Sequence, residues 1–120
     1  MEGEKRDIRV ERERLLDASH EDHESIVRYL QQHPENESVP YLLKAIRLKP
    51  ALKYMDYDDY GSFYKKCLWA LQDIATPDAL AVISECANSD DPALREQAQY
   101  RLQKIADGGR GGVQFPRNSE

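Results

Sequence analysis

The chain has little of what would mark a secreted, membrane-spanning or β-rich protein. No apolar run approaches the roughly 20 residues needed to cross a bilayer, and none has the form of a secretory signal, so a cytoplasmic protein is expected. Cysteine is scarce. Cys67 and Cys86 would sit at similar heights in a helical hairpin, but without a secretory signal they are expected to be buried thiols acting as small hydrophobes. Strand patterning is missing as well: Val, Ile and Thr stand singly among Leu, Ala, Glu, Lys, Arg and Gln, which is helix-forming chemistry. There is no excess of positive charge. A formal net charge of -5 argues against a general nucleic-acid binder, which must neutralise phosphates, and favours a basic partner.

What is present is helical periodicity. Phe63, Cys67, Leu68, Leu71 and Ile74 fall on one side of a helix, with Lys65, Lys66, Gln72 and Asp73 on the side left for water. Thr76 then stands as an N-cap, Pro77 suits the first helical position, and Asp78 meets the positive end of the dipole. Ala79, Val82, Ile83 and Cys86 make a second stripe, so residues 63–87 read as one antiparallel helix pair.

That pair recurs. At an offset of 41, Ile26, Val27 and Leu30 match Cys67, Leu68 and Leu71, and Val39, Leu42, Leu43 and Ile46 match Leu80, Ile83, Ser84 and Ala87. At an offset of 31, Leu94, Ala98, Leu102 and Ile105 match Phe63, Cys67, Leu71 and Ile74, with Asp91-Pro92 as the cap. A single hairpin cannot bury its own apolar face, whereas stacked hairpins can. The expected fold is therefore all-α, a stack of about three hairpin units.

The pattern Leu94-Arg95-x-x-Ala98-x-x-x-Leu102-x-x-Ile105, the period of 31 and Thr76-Pro77-Asp78-Ala79-Leu80 resemble HEAT-like repeats of the short phycobilin-lyase type. The resemblance implies an α-α superhelix, or solenoid, over residues 22–107. Tyr64 departs from the pattern where Arg95 keeps it, and the first copy is longer than the repeat. Proteins built from such repeats include scaffolds, lyases, hydroxylases and inhibitors, so the resemblance assigns no activity.

Three divisions follow. Residues 1–21 form a charged segment with a helix over residues 7–18, in which Ile8 and Leu15 share a thin apolar face suited to loose docking. Residues 22–107 form the repeat domain, with an insertion at about 47–62 that accounts for the ten-residue difference between the two offsets. There Pro50 opens a short extra helix carrying Leu48, Ala51, Leu52 and Met55, Gly61 makes a turn, and Ser62 or Asp59 caps the next helix. Residues 108–120 begin with Gly-Gly-Arg-Gly-Gly and read as a flexible tail.

The insertion carries the strongest functional signal. Tyr54, Tyr57, Tyr60 and Tyr64 fall within eleven residues, interleaved with Asp56, Asp58 and Asp59. Tyrosine combines a large contact area with a polar tip, and the aspartates suit lysines or arginines on a partner. Second helices line the inner surface of such stacks, which adds Tyr41, Lys44, Ser84, Glu85 and Asn88 to the contact set. The expectation is a non-catalytic scaffold for protein-protein interaction, for example a bacterial immunity protein neutralising a basic toxin. One alternative is a bilin lyase-like or accessory enzyme subunit using Asp58 as an acid. Another is nucleic-acid binding through Lys44, Arg47, Lys49 and Lys53.

Other chemistries find no support. Asp56, Asp58 and Gly61 match positions one, three and six of a calcium loop, but Tyr60 and Cys67 occupy positions five and twelve, where oxygen ligands are needed. His20-Glu21 and His23-Glu24 are similar to the iron-binding pairs of deoxyhypusine hydroxylase, yet the other copies lack them; two solvated residues at a helix start are expected. No nucleophile, base and orienter assemble by spacing. No metal and no cofactor is expected, and Trp69, in register with Tyr100, is expected to pack between helices.

Overall fold

The computed structural model describes residues 6–48 and 60–107, and among them every regular element is helical. The helices are α1 (Ile8–Leu15), α2 (His23–Gln32), α3 (Val39–Leu48), α4 (Gly61–Ile74), α5 (Pro77–Cys86) and α6 (Pro92–Ala106), with a 3-10 turn at Asn36–Ser38 before α3. The extra helix expected at Pro50 and the flexible tail expected from residue 108 lie outside the described residues.

The starts of α5 and α6 follow from their capping residues. Thr76 is extended and its Oγ1 accepts from Ala79 N–H at 3.1 Å, with Pro77 next. Asp91 Oδ1 accepts from Ala93 N–H at 3.1 Å, with Pro92 next. Each satisfies a donor that has no partner inside the helix, and each proline sits where no N–H is needed.

The start of α4 differs from expectation. Gly61 lies inside the helix and Ser62 does not cap it; Tyr60 takes the N-cap position with φ 66°, and its carbonyl accepts from Tyr64 N–H at 2.9 Å. Ala75 at the other end has φ 60°, donating to Leu71 O at 3.0 Å. Both residues bear a Cβ in a region that favours glycine.

The helices form two layers. α4 packs between α2 and α6, while α3 packs between α1 and α5, and α1 also meets α2. The smallest dimension of 20 Å fits two helix diameters of about 10 Å each. Because α4 has neighbours on several sides, it buries Phe63, Tyr64, Cys67, Leu68, Ala70 and Leu71. Gln72 is buried too, contrary to the water-facing place its spacing suggests, because α6 covers it and Arg101 Nη1 donates to its Oε1 at 3.1 Å.

Helix α1 is docked firmly rather than loosely. Leu15 is fully buried, and Arg12 is only 7% exposed, donating from Nε to Ser38 Oγ at 2.9 Å and from Nη2 to Glu35 Oε1 at 2.7 Å. Tyr41 on α3 completes the attachment by donating to Glu13 Oε2 at 3.2 Å. A buried guanidinium supplies what the thin apolar stripe lacks.

Candidate partner-binding face

Of the contact set, α3 and α5 bring together the part described. Lys44, Ser84, Glu85 and Asn88 are exposed, and Arg47 Nη2 donates to Glu85 Oε2 at 2.9 Å across the two helices. Beneath this ion pair a groove of about 360 Å³ runs to the start of α6. Leu43, Ile46, Cys86 and Leu94 form its apolar part, while Glu85, Asn88 and Asp90 supply polar groups. Asn88 Nδ2 donates to Ser84 O at 3.1 Å, which holds the end of α5. The arrangement offers an apolar floor beside two carboxylates, a setting for the stem and head of a lysine or arginine.

Tyr41 stands apart, half-buried and engaged with Glu13. Tyr60 is half-buried, its ring centroid 6.3 Å from that of Tyr64. Tyr64 is fully buried, and its hydroxyl donates to Asp91 Oδ2 at 2.5 Å, joining α4 to the cap of α6. Burial first, then the Asp91 carboxylate, push its phenol well above the ordinary value. Tyr54, Asp56, Tyr57, Asp58 and Asp59 lie outside the described residues, as do Lys49 and Lys53.

Of the two histidines expected to be solvated at the start of α2, His23 is buried and His20 is half-buried. His23 is fully buried, and its ring stacks on that of His20 with centroids 4.3 Å apart and planes 8° apart. His20 Nδ1 accepts from Asp22 N–H at 3.0 Å, so its proton sits on Nε2, which donates to Arg14 O at 2.7 Å. His23 Nε2 donates to Asp17 O at 2.8 Å. The corner between α1 and α2 closes over the His23 ring, with the half-buried His20 stacked on it, a tertiary effect that local charge does not reveal.

Both cysteines are free and buried. Burial pushes the Cys67 thiol far up, and burial with the nearby Glu85 carboxylate pushes Cys86 up to about 11. Trp69 is half-buried between α4 and α6, with the Arg101 guanidinium 4.4 Å above its ring. Among the described residues, no three His, Cys, Asp or Glu side chains are grouped to hold a metal ion, and no helix is long and apolar enough to cross a membrane.

Leu43, Asp90 and Leu94 were not legible as groove residues. Leu43 and Leu94 read as core from their spacing, and nothing in the sequence singled out Asp90. Only the meeting of three helix ends turns them toward one groove.

No family model matches this chain, and neither does any curated protein or solved structure.

Proposed function

We propose that the chain is a short stack of HEAT-like helical hairpins that binds a basic protein and performs no catalysis. The observation that carries this reading is the groove at the ends of α3 and α5, where Glu85 and Asp90 stand beside Leu43 and Leu94. A partner lysine or arginine lays its methylenes on the leucines and sets its charge between the carboxylates, trading the Arg47 to Glu85 ion pair for a new one. That exchange costs little, because both members of the present pair are more than half exposed. Lys44, Ser84 and Asn88 form the rim, and the insertion adds Tyr54, Asp56, Tyr57, Asp58, Asp59 and Tyr60 on the strength of its composition.

The stack reading is supported by the layered packing of α2, α4 and α6 against α1, α3 and α5. The non-catalytic reading is supported by the state of the nucleophiles: both thiols are buried and shifted away from the thiolate, which suits packing rather than attack.

Affinity capture from a native extract tests the proposal. Wild type, a Glu85→Lys/Asp90→Lys variant and a Tyr57→Ala/Asp58→Ala/Tyr60→Ala variant are compared by quantitative recovery. A basic protein retained by wild type and lost from both variants is the expected result. Equal recovery by all three forms sinks the proposed interface.

A further inference from the structure

The opposite layer carries a larger groove, of about 920 Å³, between the outer faces of α2 and α4. Its two carboxylates are engaged: Lys66 Nζ lies 3.6 Å from Glu24 Oε2, and Gln31 Nε2 donates to Asp73 Oδ2 at 3.0 Å. Its other two cations are not. Arg28 and Lys65 are exposed and make no ion pair among the described residues. Trp69 also lines the groove, offering apolar surface beside these charges. In a chain whose formal charge is -5, this wall has a local surplus of positive charge.

We propose that the α2–α4 groove binds an acidic peptide segment of a protein partner. Carboxylates of the segment pair with Arg28 and Lys65, and an apolar side chain between them rests against Trp69. Ser25 and Gln32 supply hydrogen bonds to the peptide backbone. Charge complementarity selects the sign of the partner, since two unpaired cations attract carboxylates without any existing pair having to break. Glu24 and Asp73 select its class. They tolerate spaced carboxylates but repel a polyphosphate backbone, whose charges are dense and continuous. This surface lies on the layer opposite the α3 and α5 groove and has the opposite preference, so the two proposals stand or fall separately.

Trp69 is the sole tryptophan of the chain, which makes its emission a built-in reporter. The full chain is titrated with a short Glu-rich peptide containing one central Leu, with its Lys-rich counterpart, and with a short single-stranded oligothymidylate. The expected result is a saturable change of Trp69 emission with the acidic peptide alone, weakened by added salt. Arg28→Glu/Lys65→Glu should weaken it at least tenfold, roughly the effect of reversing two rim charges. Lys104→Glu on α6, outside the groove, should leave it unchanged. Circular dichroism checks that the exposed substitutions keep the helices. Absence of binding by the acidic peptide, unchanged binding in the double variant, or tighter binding of the oligonucleotide each overturns the proposal.

Discussion

His23 and Arg95 make the same contact in two different corners. Each reaches the backbone carbonyl six residues earlier, His23 Nε2 to Asp17 O at 2.8 Å and Arg95 Nη1 to Ser89 O at 3.0 Å. The accepting residues match as well: Asp17 Oδ1 accepts from Ser19 N–H at 2.9 Å, and Ser89 Oγ accepts from Asp91 N–H at 3.0 Å. An imidazole and a guanidinium thus latch equivalent turns before α2 and α6. They differ in one respect that matters, because only the imidazole titrates near neutral pH.

Acid should therefore loosen the α1 to α2 corner first. Burial holds His23 below its ordinary value, with the stacked His20 acting the same way and the Asp17 carbonyl opposing. A folded value below the unfolded one, about 6.5, means that the unfolded chain binds the proton more readily. The stability linked to neutral His23 is complete above about pH 6.5 and is lost as pH falls through the folded value. Thermal unfolding followed from about pH 7.5 to pH 5 should show a falling midpoint, and His23→Gln should flatten that fall. An identical acid response in the variant removes His23 from this role.

Tyr64→Phe should destabilise the chain by about 1–2 kcal/mol, since it removes a hydrogen bond to the Asp91 carboxylate in a half-buried setting. Asp91→Ala should cost more, because it also removes the cap of α6. Urea denaturation of both variants gives the order, and a smaller loss for Asp91→Ala contradicts it.

Ala75→Gly should stabilise by about 0.5–1 kcal/mol. Relief of the left-handed backbone at φ 60° outweighs the added freedom of the unfolded glycine. Denaturation midpoints at equal slope provide the measurement.

The thiols should resist modification until the chain unfolds. Cys67 is fully buried and Cys86 is pushed up to about 11, so a disulfide reagent at neutral pH meets neither a surface nor a thiolate. Near-silent reaction in buffer and two equivalents in denaturant are expected; rapid labelling of the folded chain would contradict this burial.

Helix positions were legible because their causes are local. Thr76-Pro77 and Asp91-Pro92 announce two starts, and the apolar spacing of Phe63 through Ile74 announces the central helix. Tyr60 shows the limit of local reading: glycine at the next position is the better left-handed residue, yet Tyr60 takes φ 66° while its ring lies near Tyr64. Of the candidate face, exposed Lys44, Ser84, Glu85 and Asn88 were legible from helical register, whereas the groove beside them was not.

By itself, then, the sequence determined helical structure over the described residues, the capped starts of α5 and α6 and the apolar stripe of the central helix, since those depend on residues a turn apart. Only the tertiary structure decided which polar groups lose their water. Gln72 is buried because Arg101, distant in sequence, arrives above it, and Arg12 because Ser38 and Glu35 receive it. Periodicity marks the face that prefers burial, but how many faces are covered depends on the neighbours that pack against them.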